Sequence, residues 1–259
     1  MKRNYLYILA MVFVTGFSAC EKNSIQVIDG REIGAQIKFF NFGINAPSVN
    51  FYANTTKVTA TVSATGAEAT TGVSYGSVGP ASTYASLVAG TYAFKGQIAA
   101  ATDKDLAISN TSSAIEKGKF YSLYLCGFYN ATAKTSDAFI VEDKIPAQDT
   151  SSAYVRLVNT IPNGTGALNF TIKNTVGGAE PTIATGIAYK AASEFVKVPQ
   201  GVYDLNIRYT ATPTAIVFTR TAVSFVKGRV YTITTRGDMT VSATGTATNR
   251  PFMDNTANN

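Results

Sequence analysis

The sequence predicts an all-β protein made of two tandem β-sandwiches, and three observations lead there. Strand-forming runs alternate apolar and polar residues with period two: Tyr203, Leu205, Ile207 and Tyr209 interleave with Asp204, Asn206 and Arg208. Gly, Pro, Asn and Ser punctuate these runs. The chain also repeats its own motifs once, in the same order. Composition agrees. Thr, Ala, Gly, Tyr and Phe are abundant and only 15% of residues are charged, which suits a packed β-rich protein and excludes a disordered one.

Residues 1–19 read as a signal peptide. Lys2 and Arg3 precede the apolar run "LYILAMVFVTGF" (6–17), and small residues Ser18 and Ala19 follow. The run is shorter than the roughly 20 residues a membrane-spanning helix requires. "FSAC" then resembles a bacterial lipobox, with Phe17 where Leu, Val or Ile is commoner. The resemblance implies cleavage before Cys20 and acylation of its thiol, so that the mature chain is anchored to a membrane. Residues 20–34 read as the lipidated N-terminus and its tether. Spacing and flanks are similar to lipoproteins of Bacteroidetes-type bacteria, which implies an outer-membrane lipoprotein on the cell surface or the periplasmic face.

Residues 35–146 form the first expected sandwich, 147–152 a polar linker, 153–237 the second sandwich and 238–259 a polar C-terminal tail, mobile beyond Ala247. The repeat rests on four pairs of matched segments. "QIKFFN" (36–41) matches "YVRLVN" (154–159), so Ile37 and Phe39 correspond to Val155 and Leu157, and Lys38 to Arg156. "GVSY" (72–75) matches "GIAY" (186–189), "LVAGTYAFKG" (87–96) matches "VPQGVYDLNI" (198–207), and "KGKFYSL" (117–123) matches "KGRVYTI" (227–233). The offset between copies shrinks along the chain, as small deletions in the second copy would produce. Each copy offers about seven strand-like runs. Gly90 and Gly201 are expected to supply a positive φ where a strand starts. Helical periodicity is scarce, "AAATDKDLA" (99–107) being its best candidate. A barrel is the alternative architecture.

The order of these motifs resembles domain of unknown function family 4397, found in bacterial secreted proteins and lipoproteins, often in tandem. The pattern is a strand with Lys38-x-x-Asn41 or Arg156-x-x-Asn159, then Gly-x-x-Tyr, Gly-x-Tyr and Lys-Gly-x-x-Tyr. The resemblance implies an immunoglobulin- or prealbumin-like sandwich and brings no established activity. The copies differ at Phe195, which stands where the first has Tyr84.

Chemistry is bounded chiefly by exclusion. The chain has no histidine, which removes Ser-His-Asp and Cys-His catalysis and histidine-based metal sites. Cys126, in "FYSLYLCGF", reads as a buried inert thiol, and with Cys20 acylated no disulfide can form. Loss of the leader lowers the net charge from +6 to +4, and no basic run marks nucleic-acid binding. No cofactor, metal or catalytic residue is expected. Asp103 and Asp105 lack the further oxygen ligands of a calcium site. Glu142 and Asp143, adjacent on a strand, point to opposite faces and read as exposed polar residues at a domain edge.

Tyrosines remain as candidates for recognition: Tyr75 and Tyr84, which bound the loop "YGSVGPASTY", and Tyr129, in "FYNATAKTS". Tyr75 and Tyr189 occupy equivalent places, and tyrosines repeated in sandwiches are commonly structural. The functional expectation is a membrane-anchored, non-catalytic binding or adhesion module for a glycan or an envelope protein. The alternative is a structural or assembly subunit of an envelope complex. An enzyme built on paired carboxylates ranks last.

Overall fold

The computed structural model describes residues 34–60 and 65–258. The expected signal peptide, Cys20 and most of the tether lie outside the described residues.

Eighteen strands are described, and they fall into two sets of nine. Copy 1 comprises β1 (Ala35–Asn41), β2 (Val49–Ala53), β3 (Thr56–Lys57), β4 (Ser77–Gly79), β5 (Ala85–Leu87), β6 (Gly90–Ile98), β7 (Ala107–Ile115), β8 (Phe120–Asn130) and β9 (Thr135–Glu142). Copy 2 comprises β10 (Ala153–Asn159), β11 (Leu168–Asn174), β12 (Thr182–Ile187), β13 (Ala191–Ala192), β14 (Val196–Val198), β15 (Gly201–Tyr209), β16 (Ile216–Phe225), β17 (Val230–Arg236) and β18 (Phe252–Ala257).

Each copy is a two-sheet sandwich. The sheets of copy 1 run β4-β1-β8-β9, with β5 also on β1, and β3-β2-β6-β7. Those of copy 2 run β13-β10-β17-β18, with β14 on β10, and β12-β11-β15-β16. The two topologies coincide strand for strand, including the parallel pairings of β1 with β8 and of β10 with β17. Copy 2 therefore extends past residue 237. The segment expected as a mobile tail carries β18, which pairs with β17 from Tyr231–Ala257 to Arg236–Phe252. Met253 anchors it, fully buried in the core.

Alternation sorts side chains between two environments. Ile37 and Phe39 of β1, and Val155 and Leu157 of β10, point into their own sandwiches as the repeat predicts. In copy 1 the ring of Phe39 stacks on Phe51 at 5.1 Å and approaches Phe94 at 6.1 Å. Each such buried ring contributes on the order of 2–3 kcal/mol of transfer free energy.

The opposite faces of β1, β8, β10 and β17 are buried as well, because the two copies pack sheet against sheet. Phe40, Phe42 and Tyr124 of copy 1 cluster there with Val158 of copy 2. Phe40 stacks on Tyr124 at 4.5 Å, and Tyr124 on Phe139 at 5.2 Å.

Both sandwiches point the same way. Tyr75 and Phe42, near the C-terminal end of β1, meet Arg236 at the C-terminal end of β17. At the other end Lys144, just after β9, pairs with Glu194 at 2.8 Å. Loops 42–48, 99–106 and 131–134 of copy 1 thus share a distal end with loops 160–167, 210–215 and 237–251 of copy 2. The opposite, proximal end holds Gly34, residues 143–152 and Asn258.

Some local expectations change. Residues 99–106 form a turn in which Asp103 and Asp105 take left-handed φ values of 56° and 64°, and there is no helix among the described residues. Gly90 and Gly201 open their strands without positive φ. At Gly201 the constraint is space, since a Cβ would lie 2.9 Å from Asn174 Nδ2. Positive φ occurs instead at Gly118 (77°) and Gly228 (81°), inside the repeated Lys-Gly-Lys and Lys-Gly-Arg turns.

Candidate functional site

The junction between the copies holds the most concentrated group of buried polar side chains. Lys38, Ser122 and Asp143 of copy 1 meet Arg156, Thr232 and Asn258 of copy 2, all nearly inaccessible to solvent. Strand register explains the grouping. Lys38 lies opposite Ser122 across β1 and β8, and Arg156 lies opposite Thr232 across β10 and β17. Asp143 follows β9, and its N–H donates to Phe120 O at 2.7 Å. Asn258 follows β18, and its N–H donates to Val230 O at 2.8 Å. Adding Tyr84 and its counterpart Phe195, each copy contributes an equivalent quartet, and the two quartets face one another.

Arg156 organises the contact. Its guanidinium donates to the Asp143 carboxylate, to Glu142 O at 3.3 Å and, through Nε, to Thr232 Oγ1 at 3.0 Å. Its plane lies over the Phe195 ring, 4.6 Å from the centroid. The second Asp143 oxygen accepts from Ser122 Oγ at 2.7 Å and Tyr84 Oη at 2.8 Å. Asn258 Nδ2 donates to Tyr84 Oη at 2.7 Å, and Lys38 Nζ donates to Ala257 O at 2.6 Å. Both ions of the buried pair are hydrogen-bonded, as burial of charge requires. Asp143 is thus not the exposed edge residue expected of it. Glu142, on the other face, turns to Lys119 at 3.4 Å.

Electrostatics follow from burial. Desolvation lowers the pKa of Lys38, partly offset by the charge of Asp143. Burial raises the Tyr84 hydroxyl, and the Asp143 charge adds to that. Burial also pushes the Tyr124 hydroxyl and the Cys126 thiol up to about 12 each. Raised values keep the Tyr84 and Tyr124 hydroxyls and the Cys126 thiol protonated at neutral pH.

The candidate tyrosines fall in three places. Tyr84 lies in the junction, with Lys38 Nζ 4.6 Å from its ring centroid and Phe120 edge-on at 5.1 Å. Tyr75 lies at the distal edge of the junction, its ring 4.9 Å from the guanidinium carbon of Arg236, which is itself hydrogen-bonded to Asp254 at 2.5 Å. Its counterpart Tyr189 reaches the other way, donating to Asp137 at 2.9 Å and lying 3.3 Å from Cys126 Sγ. Tyr129 is half-buried against the copy 1 core, beside an exposed Phe128. The structure therefore brings Tyr75 and Tyr84 to the interface between the copies and leaves Tyr129 apart from them.

The repeated asparagines of the motif are structural. Asn41 Nδ2 donates to Val73 O at 2.9 Å, and Asn159 Nδ2 donates to Ile187 O at 3.1 Å. Each side-chain oxygen accepts from the backbone N–H two residues on. Sequence reasoning matched Lys38 with Arg156 and read Asp143 as an exposed edge residue, but gave none of them a buried role and did not name Asn258. A signal was present in the first two, a cation at the same place in both copies between apolar neighbours.

Two small cavities border these elements. One, of about 220 Å³, is lined by Glu142, Arg156, Ser193, Glu194 and Phe195 at the junction. The other, of about 230 Å³, lies in copy 1 against Asn50, Thr59, Thr71, Ser74 and Ser77. The first carries two glutamates, each held by a lysine, Glu142 by Lys119 at 3.4 Å and Glu194 by Lys144 at 2.8 Å, and the second has no carboxylate in its lining. Asp103 is bound to Lys134 at 2.7 Å, and no group of three or more metal-ligating His, Cys, Asp or Glu side chains occurs among the described residues.

Comparison with known proteins adds the following. The sequence family described as "Domain of unknown function (DUF4397)" matches twice, over residues 35–171 and over residues 153–258. No curated protein matches. Among solved structures, the Bacillus anthracis TIE protein is 16% identical over 78% of this chain, with a TM-score of 0.25. The chain spans about a third of that protein's length, 34%. The minor pilin GBS52 of Streptococcus agalactiae is 12% identical over 83% of this chain and all of its own, with a TM-score of 0.24.

Proposed function

The chain belongs to the DUF4397 family, which it represents in two copies, and on that premise we propose that it is a non-catalytic binding or adhesion module of the bacterial cell envelope, held to the membrane by acyl chains on Cys20. One observation carries the reading. The junction unites both copies in one orientation, so that six loops share the end of the molecule opposite Gly34.

These loops are preorganised. Lys134 bridges loop 131–134 to Asp103 of loop 99–106, and Asn163 bonds Asp238 at 2.8 Å and the Met239 N–H at 3.1 Å. A surface ordered in advance loses less entropy when it captures a ligand. Phe128 and Leu106 expose apolar surface there for contact with a glycan ring or a protein side chain.

Protease treatment of intact cells beside lysed cells tests the display, and membrane fractionation of Cys20→Ala tests the anchor. The expected results are digestion on intact cells and release of Cys20→Ala from the membrane fraction. Protection until lysis would place the protein inside the envelope and end the display reading. Retention of Cys20→Ala with membranes would end the acyl-anchor reading.

A further inference from the structure

We propose that the proximal end of the paired sandwiches is itself a membrane-contacting face that rests on an anionic lipid surface. Four of the eight exposed large apolar side chains among the described residues lie at this end. Val88 (74% exposed) is in the β5–β6 turn and Val176 (93%) in the loop after β11, while Val202 and Val226 flank the start of β15 and the end of β16. They belong to one end of the fold by pairing: Thr175 N–H donates to Val202 O at 3.0 Å, and Val202 pairs with Ser224. An isolated exposed valine means little, but four at one end, Val88 from copy 1 and three from copy 2, make a surface.

Charge complements the valines. The acidic groups at this end are held in ion pairs, Glu116 and Glu142 with Lys119, Glu194 with Lys144 and Asp149 with Lys197. Lys117 and Lys227 come in addition, exposed on the two equivalent Lys-Gly turns. Lys227 and Arg229 also border a shallow depression whose other wall is Ile145 and Pro146. Short apolar side chains ringed by lysines fit the boundary of an anionic bilayer, where the valines enter the headgroup region and the ammonium groups stay among the phosphates. The distal end lacks this bias, since its cations and carboxylates neutralise one another in pairs such as Lys134–Asp103 and Arg236–Asp254.

Gly34 also lies at this end, where Gly118 N–H donates to its carbonyl at 3.3 Å. The first described residue is thus part of the face proposed to meet lipid. The inference deepens the anchored reading above, and it can fail separately, because contact by this face does not require acylation.

The test is vesicle flotation of the full-length Cys20→Ala chain. The vesicles are phosphatidylglycerol with phosphatidylethanolamine, or phosphatidylcholine alone. Residues 6–17 are common to every variant, so differences between variants read the sandwich end. Binding is expected to favour the anionic vesicles and to weaken as salt shortens the screening length. Lys117→Ala with Lys227→Ala should lower it by about fivefold per lysine, and Val88→Asp with Val226→Asp by about tenfold or more. Ile216→Asp, at the distal end, should leave it unchanged. All substituted residues are exposed, and an unshifted unfolding temperature confirms the fold of each variant. Binding indifferent to lipid charge, unchanged by the proximal variants, or reduced equally by the distal one would overturn the proposal.

Discussion

Arg156 of β10 forms an ion pair with Asp143, the residue after β9, and the two side chains are 2% and 0% exposed. They come from different copies, so the pair joins the two sandwiches across their shared face.

Removing either partner leaves a buried charge alone. Arg156→Met is expected to cost about 3–5 kcal/mol, and the double variant Arg156→Met with Asp143→Leu to recover most of that loss. Urea unfolding of both single variants and the double variant measures the coupling. A double variant no more stable than the worse single one would show that the pair acts through shape rather than charge.

Tyr84→Phe makes copy 1 chemically like copy 2 at this position, where Phe195 stands. The hydroxyl it deletes donates to Asp143 and accepts from Asn258. Leaving those buried groups short of a partner should cost about 1–3 kcal/mol in thermal unfolding. Tyr92→Phe, whose hydroxyl bonds Val88 O at an exposed site, should cost less.

Truncation after Arg250 tests whether β18 belongs to the second sandwich. It removes Met253 from the core, Asn258 from the junction, and the antiparallel partner of β17. The expected product is aggregated or unfolded in copy 2, by circular dichroism and gel filtration, because a bared central strand edge exposes unpaired N–H and C=O groups. A soluble, cooperatively folded product would restore the tail reading.

Acid stability should depend on Glu180. Arg208 donates to its carboxylate at 2.7 Å, with Thr171 and Asn206 also bonded, and these contacts hold its pKa at about 2 despite partial desolvation. The folded value lies below the ordinary glutamate value of about 4.3. Its contribution is therefore present above that value and is lost as pH falls from about 4.5 toward 2. Glu180→Gln should flatten the stability curve in this window and leave its shape above about pH 6 unchanged.

Cys126 should resist alkylation in the folded protein. Burial pushes its thiol up to about 12, so at pH 8 the thiolate fraction is on the order of a thousandfold below that of a free cysteine. In the Cys20→Ala chain, iodoacetamide should label Cys126 only after denaturant is added. Rapid labelling of the native protein would contradict its position between Tyr189 and the β8–β9 pair.

Much of the fold was legible because local rules act on neighbours in sequence. Period two assigned Ile37 and Phe39, and later Val155 and Leu157, to a buried face, and the four repeated motifs revealed two copies. β18 escaped because "FMDNTA" has little apolar alternation and is joined to β17 by a long polar loop. Its place is fixed by pairing with Tyr231–Arg236 and by the single anchor Met253. The strands β13 and β14 escaped because runs of two and three residues carry no period.

The candidate site was less legible, for a related reason. Alternation shows that Lys38 and Arg156 face away from their own cores, and a cation there reads as solvated. Sequence alone determined the two copies, their strands, their inner faces and the absence of histidine chemistry, since these depend on composition and on spacing within one strand. Only tertiary structure decided that a second sheet covers the outer faces. Asp143 reaches Arg156, Tyr84 reaches Asp143 and Asn258, and Lys38 reaches Ala257 219 residues away, and no local pattern encodes which outer face will be buried against which.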